Sequence, residues 1–251
     1  MHVECICVQC LHGDCLMAEI YLIRHGQASF GTANYDRLSP IGCRQAEVLG
    51  ECFRDCGIHF DAAYSGELER QIKTAEIVLE RQPGKLRCEI DARFNEIDTG
   101  SIFDCLVPRL SETSPELAAL FKSGTRSSKD FQKALKIVFQ HWVTTGFEHP
   151  QMQSWTDYSV NAHRALADVM SREGSGKTVA VFTSGGTIAT LVAHVLGLGA
   201  EQVYQFYEPV VNCSVTRFLY SGKKVSLSCF NDQQFIRLLG ARSDEALLTY
   251  R

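Results

Sequence analysis

The chain has 251 residues, enough for one sizeable α/β domain with a proper core, and its formal net charge of −4 comes from mixed charges of both signs. That balance supplies no basic field of the kind that draws a protein to nucleic acid, which excludes nucleic-acid binding as a default. Eleven cysteines suit neither secretory pairing nor zinc spacing, because Cys5, Cys7, Cys10 and Cys15 crowd the N-terminus and the others are scattered.

Residues 1–17 read as a disordered cysteine-rich extension. The early cysteines with His2 or His12 could in principle hold a metal, but C-x-C-x-x-C-x-x-x-x-C lacks the paired spacing of structural zinc sites, and no metal or cofactor is expected. Met17-Ala18-Glu19 runs straight into a strand, which makes Met17 a candidate natural start. No signal peptide is expected, since there is no basic n-region and His12, Gly13 and Asp14 break the apolar residues. A reduced cytoplasmic protein is the simplest reading.

Ile20, Tyr21, Leu22 and Ile23 predict a buried central strand ending abruptly in Arg24, His25 and Gly26, where the glycine permits a sharp turn. A helix follows from 40 to about 56, capped by Ser39 with Pro40 in its first turn. A short strand at 61–64 leads through Ser65-Gly66 into a helix from about 67 to 81, ended by Pro83-Gly84. A strand at 86–90 precedes the loop from Arg93 to Gly100. From 103 to about 172 the pattern turns to helical segments with breaks at 123–125 and 144–146, expected as an insertion over one end of the sheet. Residues 178–182 resume the buried-strand pattern, Gly185-Gly186 opens a helix to about 196, and 213–220 with 224–230 form a closing hairpin. The uncharged stretch 178–200 has the length of a membrane span, but Thr183-Ser184-Gly185-Gly186 divides it into strand, turn and helix. Alternating strands and helices predict a single α/β domain over 18–251, a three-layer sandwich with a mostly parallel sheet and helices on both faces.

Ligands of such sheets bind beyond the carboxyl ends of the strands. Four segments deliver polar residues there: Arg24-His25, Ser65 to Arg70, Glu96, and Thr183 to Gly186. Arg24 and Arg70 offer planar forks for phosphate oxygens, and the amides of the helix that starts after Ser184 add donors. His25 can attack phosphorus as a neutral imidazole, and Glu96 can supply or remove a proton. Read alone, Arg70 is a solvated helix cation and Glu96 a loop carboxylate or cap; the ordered set argues otherwise. Asp98 is a rival acid ranked below Glu96. Gln27 and Ser29 stand near enough to His25 to line the pocket, and Asn212 reads as a turn residue.

These motifs resemble the histidine phosphatase superfamily, the phosphoglycerate mutase-like family, over residues 19–230 apart from the helical insertion. The family's R-H-G stands here as Arg24-His25-Gly26, its S-x-L-x-R-x-x-x-T-A segment is matched within residues 65–75 by Leu68, Arg70, Thr74 and Ala75 with Ser65 one residue further from Leu68 than in that pattern, and its acidic loop by Arg93-Phe94-Asn95-Glu96. The resemblance implies that His25 forms a phosphohistidine, that Arg24 and Arg70 hold the phosphoryl group with Ser184 and Gly185 beside it, and that Glu96 is the general acid and base. The departure lies at Ser184, where most of the family has a second histidine. Loss of one such donor typically costs ~10²–10³ in rate, part of which a serine hydroxyl can recover. His141, His149 and His163 are candidate substitutes, each read first as an ordinary surface or packing histidine.

The resulting expectation is a metal-independent phosphohydrolase acting on a small phosphorylated metabolite or a phosphoprotein, with no nucleic-acid or membrane partner. The alternative is a phosphate-binding or regulatory pseudoenzyme. A mutase is disfavoured because Gln27-Ala28-Ser29-Phe30 follows R-H-G in place of the mutases' serine and W-N. Two decoys are set aside. Gly174-Ser175-Gly176-Lys177-Thr178 precedes its strand, as a P-loop cannot, and Phe182 replaces the first glycine of a serine-esterase elbow at Ser184. The basic run Lys122, Arg126, Lys129, Lys133 and Lys136 reads as a solvated face rather than a ligand clamp.

Overall fold

The computed structural model describes residues 17–29, 35–122, 128–243 and 246–250. The expectations for the cysteine-rich extension and its candidate metal ligands, like Arg126 and the break at 123–125, lie outside the described residues.

Six strands, β1 (Ala18–Arg24), β2 (Ala62–Ser65), β3 (Cys88–Ile90), β4 (Thr178–Thr183), β5 (Val215–Ser221) and β6 (Lys224–Asp232), form one sheet ordered β3-β2-β4-β1-β5-β6. The first four in that order run parallel, and β5 and β6 are antiparallel additions. The helices are α1 (Pro40–Asp55), α2 (Glu69–Leu79), α3 (Thr99–Ser111), α4 (Pro115–Lys122), α5 (Ser128–Thr145), α6 (Trp155–Glu173), α7 (Gly185–Val195), α8 (Val203–Tyr207) and α9 (Gln234–Ser243). This is the expected α/β sandwich.

Side-chain alternation builds the two faces. Tyr21 and Ile23 of β1 with Ala180 and Phe182 of β4 pack against α1, α2 and α9, whereas Ile20 and Leu22 with Val179 and Val181 pack against α6 and α7. Every β1 side chain from Ile20 to Ile23 is buried, as both-face coverage requires. Helices α3, α4 and α5 form a third apolar cluster with α8 and part of α7, centred on Leu106, Leu117, Phe139 and Trp142. The expected insertion over 103–172 is corrected at both ends. Helix α3 begins at Thr99, capped by Asp98, and α6 places Ala162, Ala165, Leu166 and Val169 on the sheet, so most of it is a face helix rather than part of a cap. Helix α9, absent from the sequence reading, sets Ile236 against the α1 side. None of the described helices is long and apolar enough to cross a membrane.

Candidate active site

The register of β1 and β4 ends both strands at one level. Arg24 pairs with Thr183, and the His25 amide donates to the Thr183 carbonyl at 2.9 Å. Helix α1 leaves β1 toward one face and α7 leaves β4 toward the other, so the crevice between these neighbouring strands is a topological switch point. A cavity of about 290 Å³ opens there, lined among others by Arg24, His25, Arg70 and Glu96. The structure thus brings together the four charged or titratable residues singled out in the sequence.

His25 is 4% exposed, and its Nδ1 lies 2.7 Å from the Gly26 carbonyl oxygen. A carbonyl only accepts, so Nδ1 carries the proton and the lone pair resides on Nε2. Arg70 Nε donates to that Nε2 at 3.1 Å. Burial first, then repulsion by Arg70 and Arg24, pushes the His25 pKa well below its ordinary value. The imidazole is therefore neutral and nucleophilic.

Arg70, 8% exposed at the start of α2, is oriented by Asp36, whose Oδ1 accepts from Nη1 at 2.5 Å while Oδ2 accepts from the Glu69 amide at 2.8 Å. Arg24 donates through Nη1 to the carbonyls of Val210 and Tyr250. Its Nε is buried and has no hydrogen-bond partner among the described residues, which leaves a donor for an anion. Glu96 follows a 3-10 turn at Ala92–Phe94. The Phe94 carbonyl accepts from Thr183 Oγ1 and Gln71 Nε2, and the Asn95 carbonyl from Thr187 Oγ1, so three elements fix the loop. Glu96 Oε1 accepts from the Ile97 and Gly186 amides, both at 3.0 Å. A Cβ at position 186 would stand 2.3 Å from that oxygen, which is why glycine is needed there. Burial raises the Glu96 pKa against the opposing pull of Arg70, Arg24 and the two amides.

Other expected pocket residues stand elsewhere. Ser184 is fully buried, its Oγ accepts from Gln71 Nε2 at 2.8 Å, and it is not among the cavity-lining residues. Gly185 also falls outside the lining, although a Cβ there would stand 3.2 Å from the Tyr207 ring and 3.7 Å from Arg24 Nε. Gln27 and Ser29 are corrected in the same way: Ala28 between them lines the cavity, and they do not. The Gln27 side chain instead accepts from Ser39 Oγ. Asn212 is a turn residue as expected, yet fully buried, with Nδ2 donating to the His25 carbonyl at 3.2 Å. Asp98 caps α3. His141, His149 and His163 do not line the cavity; His149 pairs with Cys105, and His163 stacks on His194.

The sequence reading missed the remaining wall, which includes Tyr35, Ile97, Phe131, Leu135 and Tyr207. Tyr250 was also missed. No local motif marks Phe131, Leu135, Tyr207 or Tyr250, because they reach the cavity only through the packing of α5, α8 and the 246–250 segment.

Comparison with known proteins bears on the family and the fold. The chain is 26% identical over 208 residues to the 2,3-bisphosphoglycerate-dependent phosphoglycerate mutase of Nautilia profundicola, covering 76% of this chain and 89% of that one. Among solved structures it superposes on phosphoserine phosphatase from Entamoeba histolytica with a TM-score of 0.61 at 18% identity, covering 88% and 100% of the two chains. Phosphoglycerate mutase from Bacillus anthracis gives a TM-score of 0.62 at 21% identity, with 89% and 97% covered. The model of the histidine phosphatase superfamily (branch 1) matches residues 20–133 and 125–233, and the chain belongs to that superfamily.

Proposed function

We propose that the protein is a metal-independent phosphohydrolase that removes a phosphoryl group from a small phosphorylated substrate through a phosphohistidine at His25. The observation that carries this reading is a buried, neutral imidazole whose Nδ1–H is held by a carbonyl, with the Nε2 lone pair beside Arg70 in a cavity shared with Glu96. In the first step Nε2 bonds to phosphorus as the ester P–O bond breaks, and Glu96 gives its proton to the departing oxygen. In the second, the Glu96 carboxylate takes a proton from water, the water oxygen bonds to phosphorus and the P–N bond breaks, which returns phosphate and neutral His25. Arg24 and Arg70 carry the charge that grows on the phosphoryl oxygens.

A binding module is the second reading, and Ser184 is the observation in its favour, since the lining contains no second imidazole among the described residues. Rapid acid-free quenching with an aryl phosphate, followed by mass spectrometry of the His25 peptide, separates the two. A labile phosphoryl group on His25 with phosphate release, both abolished in His25→Ala, is the expected result. Binding of phosphate esters with neither adduct nor release would select the binding module, and transfer between substrate positions with little net release would select a mutase.

A further inference from the structure

Beyond the two arginines, the cavity changes character. Arg24 and Arg70 are the only cations among its described lining residues, and the reaction proposed above assigns both to the phosphoryl group. The carboxylates there are Glu96 and Glu208. Helix α5 supplies the outer wall, but it turns Phe131, Gln132 and Leu135 inward while Lys129, Lys133 and Lys136 are exposed and outside the lining. The basic run is thus a solvated face where it is described.

Against α5, Tyr204 and Tyr207 complete the wall, both packed on Phe139 of that helix with ring centroids 5.5 and 5.9 Å away. Phe131 is stacked on Phe103 at 5.4 Å, so the apolar lining is held by a preformed aromatic cluster. A leaving group carrying a carboxylate or a second phosphate would meet no further cation among the described lining residues and would face Glu208 across a low-dielectric space. An apolar group would lose water against Ile97, Leu135 and the tyrosine faces. At about 290 Å³ the volume suits a phosphoryl group beside one small ring or short chain.

Building on the phosphohydrolase reading, we infer that the preferred substrate is a monophosphate ester of an uncharged, apolar or aromatic alcohol. It is not a carboxylated or doubly phosphorylated metabolite such as the 3-phosphoglycerate of its structural relatives.

The test compares benzyl phosphate, glycerol 3-phosphate and 3-phosphoglycerate, all esters of alkyl alcohols, so that reactivity of the leaving group does not set the order. The expected kcat/KM for benzyl phosphate exceeds that for 3-phosphoglycerate at least tenfold, with glycerol 3-phosphate between them. Gln132→Lys, which adds a cation at the half-buried wall, is expected to raise the rate with 3-phosphoglycerate and narrow the gap severalfold. Equal or reversed preference overturns the inference and leaves the phosphohydrolase reading standing. If no ester turns over, that reading falls, and calorimetry with benzylphosphonate against the phosphonate analogue of phosphoglycerate still tests the cavity. Tighter binding of benzylphosphonate supports the inference, and tighter binding of the carboxylated analogue overturns it.

Discussion

Burial and the two guanidiniums keep His25 neutral well below pH 6.5, whereas burial holds the Glu96 proton above the usual carboxylate range. Both displacements favour a neutral nucleophile facing a protonated acid. The proposed reaction should show kcat/KM highest at acidic pH, falling as pH rises through the raised Glu96 value. Glu96→Gln should cost about 10²–10⁴ in kcat/KM and remove the alkaline limb. A wild-type profile that climbed steadily into alkali would remove Glu96 as proton donor. Linkage predicts stability as well. A raised native pKa gives a contribution fully present below the unfolded value of 4.5 and lost as pH rises through the native value. Glu96→Gln, which stays neutral and still offers Oε1 to the two amides, should accordingly melt higher than wild type at pH 7.5, with the gap closing at pH 4. Arg70 is the other residue with a sharp expectation. It spends Nε on His25 and Nη1 on Asp36, a fork that one ammonium cannot reproduce, so Arg70→Lys should lose about 10²-fold in kcat/KM although the charge is kept.

The turn from β1 into α1 depends on two backbones crossing almost in contact. A Cβ at Gly42 would lie 2.1 Å from the Gln27 carbonyl oxygen, and one at Gly26 would lie 2.4 Å from the Gly42 oxygen. Gly42→Ala must push the helix start away from the strand end, with an expected loss of about 1–3 kcal/mol in urea unfolding and a larger fractional loss of activity, since Arg24 and His25 ride on that turn. Ser39 contributes twice at the same corner, accepting from the Gly42 amide and donating to Gln27 Oε1. Elements of this kind were legible in the sequence. The Ser39-Pro40 start of α1, the continuous burial of β1 and the strand–turn–helix at Ser184 each follow from local rules about caps, apolar runs and small residues. The orientation of Ser184 was not legible, because a serine after a strand gives no sign that a glutamine from α2 will take its hydroxyl. The α6 boundary was missed for a related reason: a helix that caps a cavity and a helix that covers a sheet carry the same amphipathic pattern, and only the partner differs.

At the scale of the molecule, the centre of the site is held by the segment farthest from it in sequence. Gln45 Nε2 donates to the Leu247 carbonyl and to Thr249 Oγ1, Thr249 Oγ1 donates to Asn212, and the Tyr250 carbonyl accepts from Arg24. Leu247 is 4% exposed and joins the cluster under α1. Removing residues 246–251 should therefore lower kcat/KM at least tenfold and lower the melting temperature. Thr249→Ala, which leaves Leu247 in place, should lower kcat/KM with a smaller change in melting, and unchanged kinetics in both variants would show that Arg24 is positioned without this strap. β1 has the same dependence on late partners: its two neighbours in the sheet begin at Thr178 and Val215. On a ribosome, then, the nascent chain displays Ile20 to Ile23 as an apolar strand with two open edges through most of its synthesis, and Arg24 finds its carbonyl partners 186 and 226 residues later. Pairing over such separations is slow relative to helix formation and exposes a sticky edge meanwhile. Such a chain will need a holding chaperone, or rapid burial of β1 in non-native contacts, until the last quarter of the sequence has emerged.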